Sequence, residues 1–160
     1  MIPWLLYFFI VPGMLLAHGA LVQACVPTLD PTLVLCLISV IYLRSRALPG
    51  LLFCVALARA LLLEGSLPAH FLALAVPVAA LLPMRGFFYQ RSPFWQCAAA
   101  AFLAFVLPRL AVFFSGFSGQ MVAVAPESLI GLLWSTLLVP PAAFVLQFLP
   151  PFSSFRELEP

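Results

Sequence analysis

Apolar residues follow one another in long runs along this chain, and the interruptions are clusters of proline, glycine and charge. Those breaks predict six helical segments, at Trp4–Val26, Pro31–Leu43, Leu48–Leu63, Leu67–Met84, Phe94–Ser115 and Ser128–Leu149. The second and third segments fall short of the roughly 20 residues needed to cross a bilayer, so a re-entrant hairpin competes with two short spans. Pro12 beside Gly13, Pro77, Pro108 and the pair Pro140 and Pro141 lie inside or near the ends of segments, which predicts kinked helices. Small residues at Ala56, Ala60 and from Cys97 to Ala101 predict close helix packing.

The charges decide between hairpin and spans. Short cytoplasmic loops are enriched in arginine and lysine. With six spans and the N-terminus inside, Arg44 and Arg46, Arg85 and Arg91, and Arg156 all fall on the cytoplasmic side, while Asp30, Glu64 and Glu127 fall in the three opposite loops. A re-entrant hairpin would instead strand Arg44 and Arg46 within the membrane without an evident partner, which is costly. The pattern therefore predicts an all-α, six-transmembrane-helix bundle with both termini cytoplasmic. Its short second and third spans require local thinning or cover from neighbouring helices.

Composition strengthens this reading. The chain is 65% hydrophobic and only 8% charged, with a mean hydropathy of +1.19, against roughly 25% charged residues in soluble domains. Loops this short predict a single integral membrane domain over residues 1–160, with membrane lipid as its surroundings. The net charge of +2 comes from arginines scattered along the chain, which gives nucleic acid nothing to bind. The first apolar run lacks a basic leader and reads as a retained span rather than a signal peptide. Cys25, Cys36, Cys54 and Cys97 show no metal-type spacing and read as buried thiols.

Few residues could carry chemistry. Arg59, near the middle of the third predicted span, and Arg109, after Pro108, are charges at membrane depth and so candidate sites. Arg59 needs a partner from another helix or another protein, because Glu64, five positions on, lies off its helical face. Arg109 can snorkel towards the headgroups. Asp30, Glu64, His70 and Glu127 are the polar candidates of the outer face. They have no catalytic or metal-binding spacing, and neither does His18, which reads as bonding a neighbouring carbonyl. The expectation is no catalytic residue, no cofactor, no metal and no enzyme. On the opposite side the stretch "RGFFYQRSPFWQ" puts Arg85, Phe87, Phe88, Tyr89, Arg91, Phe94 and Trp95 where interfacial aromatic belts and cytoplasmic arginines belong. It is the largest charged aromatic surface available to a partner there. The C-terminal "SSFRELEP" reads as a solvated end.

The order of features from Asp30 to Gln96 resembles the MreD family of bacterial rod shape-determining membrane proteins. The resemblance rests on a proline before a short span at Pro31, a basic break and glycine from Arg44 to Gly50, a Gly-Ser turn at Gly65 and Ser66, and an arginine-bearing aromatic loop ending in Phe94, Trp95 and Gln96. It implies a non-enzymatic subunit of the cell-elongation machinery in the bacterial cytoplasmic (inner) membrane. Such a subunit associates with MreC and, through it, with the MreB filament and the peptidoglycan polymerase and transpeptidase. It also implies a fold like the substrate-binding subunits of energy-coupling-factor vitamin transporters, whose function is the alternative. The chain departs from the family's frequent acidic residue before the Gly-Ser turn: Ala60, Leu61 and Leu62 are apolar, and Arg59 is nearby.

Overall fold

The computed structural model describes residues 2–23, 29–62, 66–86, 93–117 and 129–155. These residues are almost entirely helical and include no strand. The helices are α1 (Ile2–Gln23), α2 (Pro31–Ile41), α3 (Leu48–Leu62), α4 (Leu67–Leu81) running into a 3₁₀ turn (Leu82–Met84), α5 (Pro93–Phe117), α6 (Leu129–Leu146) and a single turn α7 (Phe152–Phe155). Each predicted segment falls on a helix, with ends displaced by a few residues. Three stretches, Ile2–Leu21, Leu67–Met84 and Pro93–Gly116, are long and apolar enough to cross a membrane, and the chain is a membrane protein. Pro12, Pro77, Pro108, Pro140 and Pro141 all lie inside helices.

The arrangement explains the short second segment. Helices α1, α3, α4, α5 and α6 pack in that order as an arc, and α2 touches all five. Every residue of α2 from Pro31 to Ile41 is buried. An 11-residue helix rises only about 16 Å, roughly half the hydrocarbon thickness. Because its neighbours enclose it, its length need not match the bilayer. The cost of a buried hydroxyl is met inside the helix, where Ser39 Oγ donates to the Leu35 carbonyl at 2.7 Å.

Sequence chemistry sets the ends of α2. Asp30 is the N-cap, with Oδ1 accepting from the Thr32 amide at 2.8 Å, and Pro31 takes the first helical position. A proline there loses nothing, since that amide would have no partner inside the helix. At the other end the Tyr42 amide donates to the Ile38 carbonyl at 2.9 Å, and the chain turns through Arg44–Ala47 into α3.

One expectation about the tail is corrected. Within the predicted solvated end Ser153 and Ser154 are exposed, but Phe155 is buried, as is Phe152 just before it, and residues 156–160, Arg156 among them, lie outside the described residues. The Arg44 amide donates to the Phe155 carbonyl at 2.9 Å. Phe155 meets Trp4 edge to face with centroids 4.7 Å apart, and Tyr7 stands edge-on to both Phe152 and Phe155. Two aromatic rings facing a prepared aromatic surface outweigh the polarity of the serines between them, which stay exposed. The start of α1, the α2–α3 turn and α7 therefore meet at one end of the bundle. There Gly50 lets α3 approach α1, because a Cβ on it would lie 2.8 Å from Trp4 Cη2.

Candidate functional site

Arg59 is not at mid-span as expected. It occupies the last turn of α3, and its Nη1 donates to Thr32 Oγ1 in the first turn of α2 at 3.0 Å. The partner required by the sequence reading is thus a hydroxyl of the same chain. The lone charge is half-buried, and it reaches a helix start that already carries the Asp30 carboxylate. Asp30 and Arg59 share the wall of a cavity of about 170 Å³, together with Thr32, His18, Gly19, Leu15 and Leu62. No ion pair joins the two charges, which lie more than 4.0 Å apart.

His70 is buried near the start of α4, with Nε2 lacking a hydrogen-bond partner among the described residues. It lies within electrostatic reach of Arg59. The structure therefore gathers Arg59 and Asp30 in one site, with His70 close by. Glu64 and Glu127 lie outside the described residues. Sequence reasoning missed Thr32. The signal was present in "DPT", because an aspartate cap followed by proline at the first helical position puts the threonine hydroxyl in the first turn of α2.

The opposite end of the bundle is held by a second arginine. Arg85, just past the 3₁₀ turn, donates through Nη2 to the carbonyls of Leu43 at 2.6 Å and Ile41 at 3.4 Å. Its Nη1 donates to Ser45 Oγ at 3.2 Å. The last carbonyls of a helix have no partner inside it and carry its negative dipole end, so a guanidinium there is satisfied twice over. Arg85 is thus a brace between the end of α4 and the α2–α3 turn. Gln96 adds a second tie, its Nε2 donating to Tyr42 Oη at 3.4 Å. Trp95 is exposed on this end beside Phe94, the two rings edge to face at 5.9 Å. Phe87, Phe88, Tyr89 and Arg91 lie outside the described residues.

Arg109 belongs to neither site. Its guanidinium carbon stands 3.5 Å from the centroid of the Phe105 ring, and Nη1 donates to the Phe105 carbonyl on its own helix. An exposed cation over a ring gains about 0.5–1 kcal/mol. This charge is therefore handled within a single turn of α5. Among the described residues no group of three or more histidines, cysteines or acids is placed to hold a metal.

Comparison with protein-family models, curated proteins and solved structures finds no match to this chain.

Proposed function

We propose that the chain is a non-enzymatic, multi-pass subunit of the bacterial cell-elongation machinery. In this reading it crosses the cytoplasmic membrane six times with both termini inside, and it associates with an MreC-like bitopic protein. An MreB-like filament and a peptidoglycan polymerase and transpeptidase would be reached through that partner. The observation that carries the reading is the ordered pattern from Asp30 to Gln96, several of whose described residues hold the fold together. Asp30 and Pro31 start the enclosed helix, Gly50 admits Trp4, and Gln96 ties α5 to the end of α2. A pattern that serves architecture suits a subunit that acts by holding partners in place. The end bearing Arg44, Ser45, Arg46, Phe94 and Trp95, all exposed, is the cytoplasmic face in this reading and offers a surface for such partners.

Capture of the tagged chain from mild detergent, with identification of what co-purifies, tests this. The expected eluate contains a bitopic protein and synthase components, and depletion of the chain rounds the cells. Recovery of an ATPase module and its membrane coupling protein instead would favour the vitamin-transporter reading. That reading draws support from the cavity at Arg59, but about 170 Å³ is small beside the roughly 300–1,000 Å³ of typical small-molecule pockets.

A further inference from the structure

The two charges of the α2–α3 cavity are not explained by the fold alone. A carboxylate and a guanidinium on one wall normally close on each other, since a half-buried ion left short of partners is costly. Here they stay apart. Asp30 uses one oxygen for the Thr32 amide, and among the described residues nothing accepts from Arg59 besides Thr32 Oγ1. A guanidinium has five donors and a carboxylate two acceptor oxygens, so both cavity-lining residues keep capacity for a further partner. The cavity has room for roughly five water molecules by volume, about the size of a short charged headgroup. Leu15 and Leu62 line the cavity beside His18 and Gly19, and Leu16 and Leu61, next to the two leucines in sequence, are 57% and 75% exposed.

From these observations we infer that this cavity binds a zwitterionic aminoalkyl phosphate, the phosphate on Arg59 and Thr32 Oγ1 and the ammonium on Asp30. The charge order fits the helix as well, because an anion at the start of α2 meets its positive dipole end. A plain anion would face the Asp30 carboxylate unshielded, and a plain cation would face Arg59. A molecule carrying both charges satisfies each. Leucines in the cavity wall and exposed leucines next to them on α1 and α3 suit a headgroup whose acyl chains continue along those helices, as in a phosphatidylethanolamine. Free phosphoethanolamine offers the same polar chemistry without the chains. The inference uses the membrane setting of the bundle and does not depend on the elongation role.

The test is native mass spectrometry of the full chain in mild detergent with an equal mixture of phosphatidylethanolamine, phosphatidylglycerol and phosphatidylcholine of matched chains. A parallel titration uses free phosphoethanolamine. The wild type is expected to retain phosphatidylethanolamine preferentially. Asp30→Asn is the decisive variant, because asparagine caps a helix as well as aspartate and leaves the fold intact. It should abolish the preference over the other two lipids, and Arg59→Gln should lower retention of phosphatidylethanolamine by roughly tenfold or more, the loss of a charged hydrogen bond. Binding of free phosphoethanolamine with the same dependence on Asp30 and Arg59 would assign the site to a soluble ligand of this class and uphold the inference. Equal retention of the three lipids by the wild type, or a lipid preference unchanged in Asp30→Asn, would overturn it.

Discussion

Arginine side chains do three different jobs in this chain, and their surroundings determine which. Arg109 is exposed and closes on its own helix, Arg59 bridges two helices through a hydroxyl, and Arg85 gathers the free carbonyls at the end of α2. Arg85 is the one whose loss should be felt most in stability. Removing it leaves the Leu43 carbonyl without its charged donor in a part-buried setting, where a hydrogen bond to a charged group is worth about 1.5–3 kcal/mol. Arg85→Gln is expected to lower stability by about 2 kcal/mol, read as a lower melting temperature in mild detergent. Arg109→Gln should shift it by under about 1 kcal/mol. The charge pattern alone marked Arg85 as a topology signal and a possible partner contact. Its role as a brace was not legible, because the carbonyls it serves lie more than 40 positions away and only the packing of α4 beside α2 brings them near. The place of the Thr32 hydroxyl in the first turn of α2 is legible in "DPT", but its acceptor role is not, because that depends on Arg59, 27 positions distant.

At the scale of elements, hydropathy located the helices well, since each break carries a residue with a physical reason to stop or start one. Asp30 and Pro31 begin α2, and Ser66 with Pro68 begins α4. Hydropathy could not show that α2 is the enclosed helix, because a run buried by protein and a run facing lipid are equally apolar. Nor could it show that α7 folds back. "PFSSF" has too few apolar positions to predict a docked turn, and its burial depends on Trp4 and Tyr7 at the far end of the chain. The contact predicts that Phe155→Ala costs about 3 kcal/mol, at the low end for a buried phenylalanine, and loosens the start of α1. Gly50→Leu should reach the same place from the other side by pushing Trp4 away from the Phe155 ring that it meets edge to face at 4.7 Å. If the two changes act through one aromatic cluster, the double variant should lose less than the sum of the single losses. Strictly additive losses in thermal unfolding would mean that the glycine and the hook are independent.

For the whole molecule, the docked tail constrains how the chain lies in the membrane. Arg44 and Phe155 share a backbone hydrogen bond, so the α2–α3 turn and the C-terminal hook must lie on one side of the bilayer. Trp4 joins them through its ring contact with Phe155. In the proposed six-span topology α6 brings the chain back to that side, and its 18 residues rise about 27 Å, close to the hydrocarbon thickness of roughly 30 Å. In the proposed topology the arginines of this end put it in the cytoplasm, because positively charged loops are retained there. The prediction can be read by cysteine labelling in a background with Cys25, Cys36, Cys54 and Cys97 replaced by serine. Ser45→Cys and Ser154→Cys, both at exposed positions, should react with a membrane-impermeant maleimide only after the cells are opened. Leu61→Cys, 75% exposed at the end of α3 near Arg59, should react in intact cells. Reaction of Ser45→Cys and Ser154→Cys from opposite sides would break the link between turn and hook, and with it the six-span arrangement. Reaction of both from outside would keep the fold but invert the proposed topology. The exposed arginines and aromatics would then face away from the cytoplasm, and a cytoplasmic filament could not be reached through them.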